Sequence, residues 1–210
     1  MAQLAGQRVA GIGPRMSPEA PSAWMIYIGT EDADGLSQRV QAAGGTVIAP
    51  PMTVGNQGRM AVFADPSGAI ISAWQPLDMA GFGSGVPNAF SWAELNSRGL
   101  SGALPFYTKV FGWDPHQSQM GEKVPPYTEF HLGEASIAGG MEMNPMVPPA
   151  VPSYWMAYFG VENVDDTFKK ALAAGATEMV SPQDFPGGRF AIVADPQGAA
   201  FGLLRLTPQS

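Results

Sequence analysis

An α+β fold built from repeated βαβββ motifs is predicted by three segments that recur in the same order along the chain. GRMAVFADPSGA at 58–69 returns as GRFAIVADPQGA at 188–199, and PSAWMIYIGTED at 21–32 returns as PSYWMAYFGVEN at 152–163. Between them lie two stretches that end in QAAGGT and LAAGAT, at nearly the same spacing. The shared order and spacing indicate an internal duplication.

The strand and helix of each copy are predicted from local patterns. WMIYIGT and WMAYFGV are short runs of β-branched and aromatic residues, which are typical of strands. Asn163 is a good N-cap, and Gly44 and Gly175 stand where a left-handed residue would end each helix. The helices carry apolar residues at helical spacing: Ala33, Leu36, Val40 and Ala43 in the first, and Val164, Phe168, Ala171 and Leu172 in the second.

The repeated GRxAxxADPxGA segment is predicted to be a β-hairpin. ADPSG and ADPQG place Asp, Pro and Gly at the first, second and fourth positions of a type I turn. We therefore predict that Asp65 and Asp195 accept hydrogen bonds within their turns, in preference to a catalytic role.

The second copy has an additional opening stretch, which makes the two halves unequal. FSWAELNS and LPFYTKVFGW, within 90–113, predict a strand and a helix, and PYTEFHLGEASIAGG at 126–140 predicts a hairpin. The predicted domains are 1–79, which lacks its first strand, helix and part of the sheet, a Gly-rich linker at 80–87, and a complete domain at 88–207. Either Met1 is an internal methionine of a longer natural chain, which is the favoured expectation because MAQLAGQRVAG already has the pattern of mid-strand sequence, or, if 210 residues is the true length, a homodimer covers the gap.

Composition and charge limit the classes of partner. The 210 residues carry a net charge of −7 and a sequence pI of about 4.7, so a nucleic-acid backbone would be repelled. The chain has no cysteine, which excludes thiol catalysis, disulfides and thiolate metal sites. No apolar run approaches the roughly 18 residues that a membrane span needs. We expect a cytoplasmic protein with a small-molecule ligand and with neither nucleic-acid nor membrane partners.

With FYTKVFGW at 106–113, ALAAGAT at 171–177 and the two GRxAxxADPxGA hairpins, the chain resembles the vicinal oxygen chelate superfamily. This group includes glyoxalases, bleomycin-resistance proteins and extradiol dioxygenases, and the chain is similar to its tandem two-domain, glyoxalase-like type. The resemblance implies that pairs of βαβββ motifs form cup-shaped mixed sheets that hold the ligand. Pro105 departs from the family pattern, and we expect the helix there to begin late or to bend.

The resemblance also implies positions for a metal site, on the first and last strands of each motif. Metal-dependent members carry His, Gln or Glu on the first strand and Glu on the last. The corresponding residues are Trp92, Met156 and Met25 on first strands, and Gly202, Ser72, and Ala138 or Gly139 on last strands. These side chains do not form a donor set for a hard divalent cation. We expect no metal and no other cofactor.

Other candidate residues surround these positions. Glu94 lies two residues after Trp92, so both should face the same side of a strand. Desolvation there would raise the pKa of the Glu94 carboxyl as a general base requires, although pairing with an Arg at the rim is equally open. The predicted ligand-binding set is Trp92, Glu94, Met156, Tyr158, Gly202, Met25, Tyr27 and Ser72. The rings available to stack on a flat ligand are Tyr27, Trp24, Trp74, Trp155 and Tyr158, of which half must belong to the ordinary core because adjacent strand residues face opposite ways.

The two histidines, His116 and His131, suggest a second metal hypothesis. Glu129 and His131 share one face of a predicted strand, which supplies two ligands. Two ligands are too few for a metal site, and an ordinary polar pair at a sheet edge is the favoured interpretation.

Two function classes follow. The first is a metal-independent protein that binds a small, partly aromatic or apolar molecule. The alternative is a glyoxalase-like or isomerase-like enzyme that acts on a small carbonyl compound with Glu94 as general base. The lack of metal ligands favours binding, because an enolate intermediate would lack its electrophile.

Overall fold

A computed structural model describes residues 1–15, 17–118 and 126–207, and it confirms an α+β fold rich in strands. The N-terminal elements are β1 (Ala2–Leu4), β2 (Gln7–Ala10), β3 (Tyr27–Gly29), α1 (Ala33–Ala42), β4 (Thr46–Val54), β5 (Gly58–Ala64) and β6 (Ile70–Pro76). The following elements are β7 (Phe90–Ser97), α2 (Leu100–Phe111), β8 (Asp114–Ser118), β9 (Tyr127–Leu132), β10 (Ala135–Glu142), β11 (Tyr154–Gly160), α3 (Val164–Ala173), β12 (Thr177–Phe185), β13 (Gly188–Ala194) and β14 (Ala200–Leu206). None of the helices in these described ranges is long and apolar enough to cross a membrane.

The element order contains three βαβββ motifs, as the repeats predict. We call them motif 1 (β3–α1–β4–β5–β6), motif 2 (β7–α2–β8–β9–β10) and motif 3 (β11–α3–β12–β13–β14). Motif 1 forms a four-stranded sheet in the order β3-β6-β5-β4, whereas motifs 2 and 3 supply an eight-stranded sheet in the order β12-β13-β14-β11-β7-β10-β9-β8. In each motif the first strand runs parallel to the last. β1 and β2 form a separate antiparallel pair.

The chain divides into two compact units that are interleaved in the sequence. The first unit contains Met1–Trp24, Phe82–Trp92 and Met156–Ser210, and the second contains Met25–Gly81 and Ala93–Trp155. The sequential domains at 1–79 and 88–207 are a different division of the chain and stay a prediction.

The first unit is organised around α3. Asn163 caps this helix by accepting a hydrogen bond from the backbone N–H of Asp166, as predicted. The apolar face of the helix packs with β13 and β14 in a core of Val161, Val164, Phe168, Ala191, Val193 and Leu203. Trp24 lies edge-on to Phe159 and Phe201, with ring centroids 5.0 and 5.9 Å away.

The second unit is organised around an aromatic core to which α2 contributes three residues. This core contains Phe106, Tyr107, Phe111, Trp113, Phe130 and Trp155. The expected late start of the helix is wrong, because α2 begins at Leu100 and includes Pro105. The Glu142 carboxylate caps the helix by accepting from the N–H groups of Gly99 and Leu100 at 2.7 and 2.8 Å. Such a cap satisfies N–H groups that a helix start leaves unpaired.

The repeated hairpins are held by the same contacts in both copies. Arg59 forms an ion pair with Asp34 in the first turn of α1, and Arg189 does so with Asp165 in the first turn of α3. These contacts lower the pKa of each aspartate, chiefly through the arginine hydrogen bond. Within the turns, the Oδ1 atoms of Asp65 and Asp195 accept hydrogen bonds from backbone N–H groups, which confirms the turn prediction.

Candidate functional site

In each of the three motifs, a residue of the first strand lies in register with a residue of the last strand, and the three pairs occupy equivalent positions. Tyr27 is in register with Ser72, Glu94 with Gly139, and Tyr158 with Gly202. Gly139, and not Ala138, is therefore the motif 2 equivalent of Gly202. Each of these pairs lies within one compact unit.

In the first unit, the Tyr158 ring covers the glycine at the last-strand position. A Cβ atom built on Gly202 would lie 2.0 Å from Cδ1 of Tyr158, far inside van der Waals contact. Tyr158 is only 6% exposed, and Met156 is buried two residues before it on β11. Trp92 is half-buried on β7. The space that a glutamate at position 202 would need is filled by an aromatic ring.

In the second unit, Glu94 is the acceptor in a hydrogen-bonded group of polar side chains. Glu94 alternates along β7 with the buried residues Ala93 and Leu95, so its side chain lies on the opposite, half-buried face. The Tyr127 hydroxyl donates to its Oε2 atom at 3.1 Å, and the Asn96 amide donates to Oε1 at 3.3 Å. Both carboxylate oxygens are thereby oriented by neutral donors.

Tyr127 and Tyr154 extend this group. A Cβ atom at Gly139 would lie 1.8 Å from the Tyr127 hydroxyl, so the glycine makes room for the tyrosine to reach Glu94. Burial, followed by the negative charge of Glu94, raises the pKa of the Tyr154 hydroxyl. Tyr154 therefore stays a neutral phenol at physiological pH.

Motif 1 presents a different surface at the equivalent place. Tyr27 is 37% exposed and packs edge-on against Trp74, with ring centroids 6.4 Å apart. Ser72 is fully buried, and its hydroxyl has no hydrogen-bond partner within the described residues. Met25 is half-buried just before β3.

The histidines lie elsewhere, on β8 and β9. Their imidazole rings stack with centroids 4.4 Å apart, and each ring approaches a carboxylate: His116 that of Asp114 at 2.9 Å, and His131 that of Glu129 at 3.5 Å. In the parts of the chain that the structure describes, no three His, Asp or Glu side chains are arranged to hold a metal ion.

The residues at the metal-site positions do not fit a divalent cation. Those positions carry indole, thioether and glycine residues, together with one buried hydroxyl at Ser72. Mn²⁺ and Zn²⁺ are held by carboxylate and imidazole donors, which these groups do not supply. The tyrosines above Gly139 and Gly202 also occupy the space that a longer ligand side chain would need.

The hydrogen-bond partners of Glu94 are not among the residues predicted from the sequence. Asn96 follows Glu94 by two residues on the same strand, so strand alternation could have identified it. Tyr127 lies on β9, and its side chain extends across β10 to reach Glu94 on β7. This contact depends on the register of the three strands and on the length of the side chain. Short motifs contain no such information.

Comparisons with known proteins agree with the repeated motifs. A family model described as Glyoxalase/Bleomycin resistance protein/Dioxygenase superfamily matches residues 6–72 and 89–203. An anthracycline biosynthesis protein, DnrV of Streptomyces peucetius, is 38% identical over 187 residues, which span 89% of this chain and 66% of the relative. A putative glyoxylase, CFP32 of Mycobacterium tuberculosis (strain CDC 1551 / Oshkosh), is 38% identical over 217 residues, spanning 100% of this chain and 80% of the relative. The chain thus spans slightly less than two thirds of the Streptomyces relative.

Solved structures show the same fold at low sequence identity. The Mn(II)-bound glyoxalase from Novosphingobium aromaticivorans has a TM-score of 0.58 and 18% identity, covering 84% of this chain and 60% of that protein. The 2,3-dioxygenase LapB from Pseudomonas sp. KL28 has a TM-score of 0.56 and 16% identity, covering 84% of this chain and 69% of that protein. At this identity the likeness establishes the fold and leaves the chemistry to the residues of the site.

Proposed function

Because the chain belongs to the glyoxalase/bleomycin resistance protein/dioxygenase superfamily, we propose that it is a metal-independent member that binds a small, partly aromatic or apolar molecule. The names of its Streptomyces relatives support anthracyclines, which are fused aromatic compounds, as the first ligand class to test. Among the aromatic and thioether side chains of the candidate set, Trp92, Tyr27 and Met25 are half-buried or exposed and can offer stacking and adaptable apolar contacts to such ligands, whereas Tyr158 and Met156 are buried.

The observation that carries the proposal is the tyrosine ring over Gly202. In metal-dependent relatives the last strand contributes a glutamate, whereas here the Tyr158 ring stands within 2.0 Å of where even a Cβ atom would begin. A buried aromatic ring does not supply the charged ligands that a divalent cation needs to offset the free-energy cost of its burial. The same exchange occurs at Gly139, where the Tyr127 hydroxyl fills the space. At two last-strand positions, a tyrosine side chain therefore fills the space that a metal-ligating side chain would need.

The metal part of the proposal is tested by titration. We expect Mn²⁺, Zn²⁺ and Ni²⁺ to show no saturable site with a dissociation constant below about 1 mM, because the donor set is missing. Isothermal titration calorimetry and elemental analysis after dialysis measure this. The Asp114→Asn and Glu129→Gln variants control for weak binding at the β8–β9 histidines. One metal ion retained per chain would contradict the proposal.

A catalytic role for Glu94 is the second candidate, and its hydrogen bonds favour it. Tyr127 and Asn96 each donate to one carboxylate oxygen, which fixes the orientation of the group as a positioned base requires. In that case Glu94 would accept a proton from the carbon next to a carbonyl group. The neutral Tyr154 hydroxyl is a nearby hydrogen-bond donor.

The Glu94→Gln variant separates binding from catalysis. For a binding protein we expect its affinity for an anthracycline, followed by ligand fluorescence, to fall by no more than about tenfold, because the amide keeps the shape of the carboxyl and loses one of its two acceptor oxygens. We also expect neither protein to convert small carbonyl compounds. A turnover by the unmodified chain that falls by about 10²–10⁴ in the variant would establish the enzyme instead. Failure of anthracyclines to bind, with another molecule found by native mass spectrometry of the purified chain, would change the ligand class alone.

A further inference from the structure

Arg98 lies directly after β7, at a position where motif 2 departs from the other two motifs. The register of the first and last strands makes Glu31 and Glu162 its equivalents in motifs 1 and 3. An arginine therefore replaces a glutamate at this point of the repeat. Its side chain bonds to the segment that joins motif 2 to motif 3, residues 143–153, which has no counterpart inside a motif.

The segment 143–153 has little of its own to fix its conformation. It contains four prolines, which donate no backbone hydrogen bonds, and it lies between β10 and β11 without forming a helix or strand itself. All four prolines are exposed, and Met146 is 87% exposed, so the burial of apolar surface contributes little. The conformation of the segment therefore depends on hydrogen bonds with the rest of the chain.

Arg98 supplies such hydrogen bonds from both its side chain and its backbone. Its Nη2 atom donates to the carbonyl groups of Val147 and Pro148 at 3.1 and 2.8 Å, and its Nε atom donates to that of Val151 at 3.1 Å. Its backbone N–H donates to the Oγ atom of Ser153, a buried residue, at 3.0 Å. The planar guanidinium group can bond to several carbonyl groups at once, so one residue holds the segment along most of its length.

The held segment ends where the candidate site begins. Tyr154, the residue after Ser153, is the first residue of β11, which is next to β7 in the sheet. Burial, followed by the negative charge of Glu94, raises the pKa of the Tyr154 hydroxyl, so the phenol lies within the field of that carboxylate. Arg98 follows Glu94 by four residues in the chain, and it thereby connects the end of β7 to the start of β11.

We propose that Arg98 is a positioning residue of the candidate site, which holds the segment 143–153 in one conformation and thereby places Tyr154 beside Glu94. The proposal rests on the proposed function, in which the Glu94 group contacts the ligand. Arg98 acts through Tyr154 in this arrangement, because its own side chain is bonded to the connecting segment.

Titration of the tyrosine hydroxyls in the Arg98→Met variant tests the placement without any ligand. Tyrosine labelled with ¹³C at Cζ gives an NMR resonance for each of the five tyrosines, and Tyr154→Phe assigns the one of interest. We expect the pKa of Tyr154 to fall toward its ordinary value of 10.0, because the hydroxyl becomes more exposed and moves away from Glu94. The resonance of Tyr107, in the aromatic core, should titrate as before. Arg205→Met, at an exposed arginine on β14, is the matched control and should leave Tyr154 unchanged.

Two further variants keep the test decisive if Arg98→Met folds poorly. Ser153→Ala removes the acceptor next to Tyr154 without changing the charge, and should move the pKa of Tyr154 in the same direction by a smaller amount. Arg98→Lys keeps the charge and lacks the fork, so it should behave like Arg98→Met. A Tyr154 pKa that stays the same in all three variants would overturn the proposal, as would full recovery by lysine or an equal change at Tyr107.

Ligand affinity distinguishes the positioning role from the proposed function. Arg98→Met should weaken the binding of an anthracycline by about fivefold, which corresponds to one neutral hydrogen bond, and by less than about twofold when Tyr154 is already phenylalanine. An equal loss in both backgrounds would overturn the action through Tyr154. If no anthracycline binds to the unmodified chain, the ligand class of the proposed function is wrong, and the tyrosine titration alone decides the role of Arg98.

Discussion

Tyr107→Phe should lower the free energy of unfolding by about 3 kcal/mol, because it leaves two buried polar groups without their partner. The Tyr107 hydroxyl donates to Oδ2 of Asp65 at 2.6 Å and accepts from the Trp155 indole at 2.9 Å. Tyr107 is fully buried and Asp65 almost so. The variant keeps the ring and removes only the hydroxyl, so a urea titration measures the hydrogen bonds with little change in packing.

The second hairpin contains the matched control. Asp195 makes the same turn hydrogen bonds through Oδ1 as Asp65, but it lies in an exposed turn. Asp65→Asn should therefore cost at least about 1 kcal/mol more than Asp195→Asn, since only the former disturbs the tyrosine contact. Equal losses in the two variants would show that the turn alone matters.

The pH dependence of stability provides a further check on Tyr107. Burial, followed by the charge of Asp65, holds the pKa of the Tyr107 hydroxyl well above its ordinary value of 10.0. A raised pKa in the folded state means that stability from this group is complete below pH 10 and declines as the pH rises past it. The decline should be smaller in Tyr107→Phe. An identical alkaline decline in both proteins would assign it to other groups.

Gly202→Ala should cost about 3 kcal/mol, at the upper end of what overpacking a core usually costs. The added Cβ would lie 2.0 Å from the Tyr158 ring, and three ring atoms lie within 2.6 Å of it. The ring is buried, so it has little room to turn away. Thermal and urea unfolding of the variant measure the loss.

Two comparisons identify the ring as the cause. The double variant Gly202→Ala with Tyr158→Ala should lose less stability than the sum of the single variants, because the clash disappears with the ring. Gly139→Ala should cost less than Gly202→Ala, since its Cβ meets the hydroxyl end of the half-buried Tyr127, which can swing aside. Additive losses in the double variant would contradict the steric explanation, and with it the account of why a longer side chain is excluded at position 202.

Most of the fold was predictable because repeats reveal architecture more strongly than individual propensities do. The two ADPxG turns, the Asn163 cap and the glycine helix ends at Gly44 and Gly175 all follow from local chemistry, and all are present. The error at Pro105 has a local cause as well. Ser101, whose carbonyl loses its helical partner to the proline, is exposed and open to water, so the helix continues through the proline.

The candidate site was predictable only in part. Strand alternation correctly places Glu94 on the face opposite Ala93 and Leu95. The hydrogen bond from Tyr127 depends on how β9, β10 and β7 are aligned, and the contact between Asp65 and Tyr107 joins residues that are far apart in the chain. Such pairings are set by tertiary packing, which residue spacing within a motif does not encode. The ligand-binding roles of the candidate residues stay predictions.

The arginine of each repeated hairpin forms its ion pair with the helix of the same motif, which bears on how a gene of this kind can lengthen by duplication. A DNA segment that encodes one motif brings both partners of the ion pair, Arg59 with Asp34 or Arg189 with Asp165. A newly duplicated motif therefore contains the ion pair between its hairpin and its helix, and this contact requires no substitution elsewhere in the chain. Hydrogen bonds between motifs, such as the one that Tyr107 donates to Asp65, can then evolve in one copy independently of the other copy. The chain can thus gain a motif by duplication first, and acquire contacts specific to that motif later.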